Sequence, residues 1–293
     1  MAAAIVIAGC SKENRALSKI EGAFEREDYV ETVALCRHAI RSGVDAAGVY
    51  YYYGAALVAM ERDFEGFRRL DDAVRRDSDK AGEVAALLFA QGEAAFRGGQ
   101  QARAASRFRK ASEVVPSLDL GRYAYVVGDS FFEERDHARA AAFYERAIAS
   151  CPDTAAAQRA YLNKAECYSA LNDRKRARES LQDMLDRFRQ GPLAVEARWR
   201  LANMLYEEAE RQFRLGNYEQ TAALTGRVLD GTNNPGLIQK SRFLRGEAFE
   251  AMGKFGEAYE QYRAIIEGER GASGRVVERA REKIAAFREA GRY

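Results

Sequence analysis

"LLFAQGEAAFRGGQQARAASRFRKASEVVP", residues 87–116, aligns without a gap on "YAYVVGDSFFEERDHARAAAFYERAIASCP", residues 123–152. Gly92 falls on Gly128, Ala104 on Ala140, Phe108 on Tyr144, Ala111 on Ala147 and Pro116 on Pro152. Residues spaced in this way describe two helices that pack closely. A small residue midway along the first helix admits the second, and alanines on the second do the same. The aromatic between them fills the remaining gap, and the proline ends the unit because it has no N–H for a helical bond.

The same frame recurs along the chain. It holds Gly54, Gly66, Leu70 and Ala73 in a second unit, Ala165, Tyr168, Ala177 and Leu181 in a fifth, and Gly246, Phe249, Gly253, Ala258 and Tyr262 in a seventh. Weaker first and sixth units place Thr32, Cys36 and Ala39, then Thr221, Thr225 and Val228, on their second helices. Several diagnostic positions repeating together resemble the tetratricopeptide repeat (TPR), a helix-turn-helix unit of about 34 residues. The resemblance implies an all-α, right-handed superhelical solenoid of about seven such units over residues 14–290. "GRVVERAREKIAAFREA" (274–290) supplies a C-terminal capping helix, since the end of a solenoid needs a polar outer face. Between the fifth and sixth units the spacing lengthens by about ten residues, so 193–216 reads as one long helix carrying Trp199. A division near Gly191 and Pro192 follows, into an array over 14–190 of about five repeats and an array over 191–293 of about two with the cap.

Composition agrees with this class. Four prolines and one tryptophan beside abundant Ala, Arg, Glu and Leu favour helix throughout. With 46 basic and 44 acidic residues there is no global pull toward nucleic acid. Cys36, Cys151 and Cys167 are too few and too irregular for a disulfide framework or a zinc site. No window supplies the about 20 apolar residues of a membrane span. His38 and His137 lack partners at a triad or metal-site spacing, and "FRGGQQ" (96–101) has no Lys-Ser/Thr to make a phosphate loop. The mixed-charge runs at 67–77 and 173–180 read as solvated outer faces. No catalytic residue, metal or cofactor is expected.

In the TPR family, the residue after the small first-helix position and the residue three before it face a concave groove that holds a partner segment. The first set reads Ala55, Glu93, Asp129, Glu166, Glu210 and Glu247; the second reads Tyr51, Phe89, Tyr125, Leu162, Tyr206 and Phe243. By this resemblance the groove is a ladder of apolar rings and carboxylates, suited to a protein or peptide carrying Lys or Arg among apolar side chains. It lacks the Lys and Asn with which co-chaperone repeats hold an acidic C-terminus. The alternative reading of the same residues is that the aromatics pack between helices and the glutamates are ordinary helix formers.

Two further signals bear on location. Ile7, Ala8, Gly9 and Cys10, followed by the polar Ser11, Lys12 and Glu13, resemble the lipobox of bacterial lipoproteins, which implies a lipid on Cys10 and removal of what precedes it. Met1 to Gly9 is short and has no Lys or Arg, so this reading also expects a basic stretch upstream; the rival is an ordinary N-terminus. "LQDMLDRFRQGPLAVEARWRLANMLYE" (181–207) is similar, at Pro192, Ala194, Glu196 and Ala197, to the repeats of outer-membrane assembly and Tol-Pal coordinator lipoproteins, and departs from them at Arg189. Together these imply a non-enzymatic scaffold on the periplasmic face of the outer membrane, touching the bilayer only through its anchor and binding no nucleic acid. An untethered cytosolic adaptor and a regulatory subunit of an enzyme complex are the alternatives.

Overall fold

The computed structural model describes residues 2–152, 155–268 and 274–291, with side chains from Lys12 onward. Among the described residues there are fifteen α-helices and no strand. The chain forms two compact units, residues 1–156 and 157–293. In the first, successive helices pair as α1 (Ala2–Glu25) with α2 (Tyr29–Arg41), α3 (Ala47–Ala59) with α4 (Asp63–Arg76), α5 (Ala81–Arg97) with α6 (Gln101–Val114), and α7 (Ala124–Glu133) with α8 (His137–Ser150). The helices after them are α9 (Ala155–Ala170), α10 (Arg174–Arg187), α11 (Ala194–Arg214), α12 (Tyr218–Gly231), α13 (Pro235–Ala251), α14 (Phe255–Glu267) and α15 (Arg275–Glu289). The division suggested at Gly191 and Pro192 falls inside the second unit, whereas the compact units divide near the start of α9. The long helix expected over 193–216 is α11.

Each hairpin turn is made the same way. Two residues past the end of each first helix the backbone turns left-handed, at Glu27, Glu61, Gly99, Arg135, Asn172, Gly216 and Gly253. The next residue's N–H then reaches back five positions to a carbonyl of the helix just ended, as from Asp28 to Ala23 at 3.0 Å and from Asp173 to Tyr168 at 2.8 Å. This satisfies a helix-end acceptor and reverses the chain in a few residues. That residue also opens the second helix. Asp28, Asp136 and Asp173 cap it, accepting from the amides of Glu31, Arg139 and Arg176 at 2.9–3.1 Å.

Between paired helices the core works by opposed sizes. In three hairpins the first helix offers glycine where the second brings a ring: a Cβ on Gly92 would sit 2.7 Å from Phe108, one on Gly128 2.8 Å from Tyr144, and one on Gly246 2.6 Å from Tyr262; in the second hairpin Gly54 meets Leu70 instead, at 2.7 Å. Ala165 is matched by Leu181, and in the first hairpin the order is reversed, with Ile20 on the first helix and Cys36 on the second. All four of these residues are buried, and burial pushes the Cys36 thiol up to about 12. A polar latch joins the second and third hairpins. Arg107, buried on α6, places its guanidinium on both oxygens of Asp63, on the Val58 carbonyl at 2.9 Å and on the Gln91 carbonyl at 3.1 Å. With so many acceptors the buried charge is compensated.

The two ends are closed differently. On α1, Leu17, Ile20 and Phe24 pack into the first core, and Lys12 Nζ donates to the Ser42 carbonyl at 2.7 Å. At the other end Val277, Ala280, Ile284 and Phe287 of α15 cover Phe243, Tyr262 and Ile265, which gives the cap its apolar inner face. No described helix is long and apolar enough to cross a membrane. The side chain of Cys10 lies outside the described residues, within the helical span of α1.

Candidate partner-binding groove

The first unit has a groove of about 920 Å³ walled by faces of α4, α6 and α7 and by the end of α5. On α4 the face is Phe64, Phe67, Arg68 and Asp71; these positions fall on one side of a 3.6-residue helix. Phe96 and Tyr125 meet edge to face at 6.4 Å across the α5–α7 side. Phe64 is 78% exposed at the rim. Its ring lies out of phase with the buried stripe Gly66, Leu70 and Ala73, so no internal packing uses it.

Charge in this groove is uneven. Five carboxylates (Asp71, Glu113, Asp129, Glu133 and Glu134) face three cations (Arg68, Arg109 and Lys110). Two of the cations are already engaged: Lys110 with Asp71 at 2.7 Å and Glu113 at 3.8 Å, Arg109 with Glu134 at 2.8 Å and Glu113 at 3.5 Å. Asp129 accepts the Tyr144 hydroxyl at 2.7 Å. Glu133 has no cation within ion-pair distance among the described residues. The groove can therefore accept apolar side chains along its aromatic walls and a cation at its acidic side.

Of the residues singled out in the sequence, Tyr125 and Asp129 line this groove. The others have separate surroundings. Tyr51 packs against Tyr52 at 5.3 Å with Lys80 Nζ 5.8 Å from its ring, and Phe89 packs between Phe108 and Tyr123. Glu93 acts on Arg122, whose pKa is raised first by its bond to the Tyr123 hydroxyl. In the second unit Leu162 and Phe243 are core residues rather than groove residues, because the neighbouring helices close over them. Glu166 and Glu247 each bind an arginine of a later helix, Arg200 on α11 at 3.2 Å and Arg279 on α15 at 3.1 Å; Arg279 also lies 4.2 Å above the Phe243 ring. Burial raises the Glu247 carboxyl, against the pull of Arg279 and Lys283. Tyr206, raised by burial and then by Glu210, donates its hydroxyl to that carboxylate. In the second unit the carboxylates of the ladder thus serve in part to hold successive repeats together.

The groove draws on second helices, which the family frame does not mark. Phe64, Phe67 and Arg109 were missed for that reason. The readable signal was Phe64, an aromatic two positions from Gly66 and off the core stripe. His38 is exposed on α2, and His137 opens α8 against the Phe132 ring at 5.5 Å. Among the described residues no group of His, Cys, Asp and Glu is arranged to hold a metal ion.

Successive helical hairpins built on one turn define a helical-repeat protein. The family model of the tetratricopeptide repeat matches residues 159–190, the α9–α10 hairpin. Among solved structures, a TPR repeats protein from Bacteroides fragilis NCTC 9343 is 14% identical, with a TM-score of 0.51 over 69% of this chain and 98% of its own. The C-terminal part of a TPR repeat-containing protein from Cytophaga hutchinsonii is 12% identical, with a TM-score of 0.38 over 92% of this chain and 99% of its own. No curated protein matches the chain. The fold is that of a TPR solenoid, as the repeats at 87–116 and 123–152 imply, and it is a fold used for protein–protein interaction.

Proposed function

We propose that this protein is a non-enzymatic scaffold whose first unit holds a partner segment with basic and apolar side chains. The observation that carries the reading is the groove of about 920 Å³, with Phe64, Phe67, Phe96 and Tyr125 on its walls and more carboxylates than cations. An extended or helical segment placing Lys or Arg beside Glu133 and Asp129 gains charge-assisted bonds, and an exposed aromatic such as Phe64 gives it an anchor. The test uses a fluorescein-labelled peptide of alternating Lys and Leu and its Glu-Leu counterpart, followed by anisotropy. The basic peptide is expected to bind, and Asp129→Lys with Glu133→Lys to weaken it about tenfold with helicity retained and with no loss of the Glu-Leu peptide. Failure of the basic peptide to bind, or an unchanged affinity in the variant, overturns the reading.

We further propose that the protein is a lipoprotein anchored through Cys10 on the periplasmic face of the outer membrane, serving cell-envelope assembly or maintenance. Support comes from the lipobox-like order Ile7 to Cys10 and from the likeness of 181–207 to envelope lipoproteins. Cleavage before Cys10 would also spare Leu17, Ile20 and Phe24, which pack the first hairpin. An intact mass of the native protein from membrane and soluble fractions decides the matter. A membrane-bound chain beginning at an acylated Cys10 supports the anchor. A soluble chain beginning at Met1 makes the same groove part of an untethered adaptor.

A further inference from the structure

The second unit has a cavity of its own, about 470 Å³, between α10, α11 and α12. Its apolar wall is Leu185, Leu201, Ala202 and Leu205, and Arg189, Arg198 and Arg227 reach it from the loop after α10, from α11 and from α12. Among the described residues none of these three arginines has a carboxylate within ion-pair distance. That sets them apart from neighbours such as Arg200, which binds Glu196 at 2.7 Å and Glu166 at 3.2 Å. Arg198 donates to the Arg189 carbonyl at 2.9 Å, which fixes its guanidinium against the loop. The cavity also has two carboxylates, of which Asp186 accepts from the Gln182 amide at 3.0 Å.

We propose that this cavity binds an acidic, apolar peptide segment of a second partner, with a leucine-like side chain against the leucine wall and carboxylates on the three guanidiniums. A volume of this size lies within the roughly 300–1,000 Å³ of ligand pockets. Guanidinium presents a planar fork that matches a carboxylate, and an arginine without an internal acid loses no ion pair when it binds one. Three cations from separate segments call for several carboxylates spaced along a chain. A fatty acid has one carboxylate and would leave two of the three guanidiniums without an acid. The site is independent of the groove in the first unit and selects the opposite charge, so the scaffold would hold two chemically distinct partners.

The test uses the full chain and the fluorescein-labelled peptide acetyl-Leu-Asp-Leu-Glu-Leu-Asp, with its Lys-for-acid counterpart and dodecanoate as comparisons. Binding is followed by the anisotropy of the labelled peptide. The acidic peptide is expected to bind and to weaken as salt rises, because exposed charges are screened. Arg198→Glu with Arg227→Glu should weaken it about tenfold with helicity by circular dichroism retained. Asp230→Asn should strengthen it, and Tyr125→Ala in the first unit should leave it unchanged. The proposal is overturned by failure of the acidic peptide to bind, by unchanged affinity in the folded double variant, by an equal loss of the Lys counterpart in that variant, by sensitivity to Tyr125→Ala, or by dodecanoate binding where the peptide does not.

Discussion

One contact recurs in three hairpins: the first helix gives up volume where the second brings a ring. Gly92 leaves room for Phe108, whereas Ala165 is matched by the smaller Leu181. This predicts the outcome of a double-mutant cycle. Gly92→Ala forces its Cβ into the Phe108 ring and should cost about 1–3 kcal/mol, as overpacking does. Phe108→Leu alone should also destabilise, through a cavity and the lost stack on Tyr123, whose ring lies 4.8 Å away. Together they recreate the Ala165–Leu181 arrangement, so urea unfolding of the double variant should show less loss than the sum of the two. Strict additivity would mean that the two positions do not share one space.

Helices show how much of this could be read from sequence. The hairpins were legible because small residues and rings recur in step, and the length of α11 was legible from the stretched spacing. The turns were less so. Gly99, Gly216 and Gly253 mark their left-handed positions, and Asn172 tolerates that backbone, while Glu27, Glu61 and Arg135 hold it without a residue that favours it. The groove was half legible: Tyr125 and Asp129 followed from the family frame, but its other wall lies on α4 and α6, second helices whose outward aromatics the frame ignores. Charge between helices has its own consequence on α11. Glu208 is held low by the Gln212 amide, then by Arg211 and Arg178. Its folded pKa lies below its ordinary 4.5, so these bonds contribute stability in full above that value and lose it as the pH falls through the folded pKa. Glu208→Gln should therefore flatten the acid limb of stability, measured by urea unfolding between about pH 3 and pH 7, and have its largest effect at the neutral end.

At the scale of the molecule, the two units carry cavities of opposite character, an acidic aromatic groove in residues 1–156 and an arginine-rimmed leucine wall in residues 157–293. Each lies wholly inside its unit, so substitutions in one should leave binding at the other unchanged, a prediction that paired anisotropy titrations check. The bond from Lys12 to the Ser42 carbonyl has a consequence for the proposed anchor on Cys10. Two residues of even fully extended chain span only about 7 Å. An acylated Cys10 would therefore leave the first hairpin almost no leash, and the protein would sit on the bilayer like a bracket rather than drift above it on a tether. Its partners would have to come to the membrane surface, and a flexible Gly-Ser insert after Ser11 would free the scaffold to meet them elsewhere.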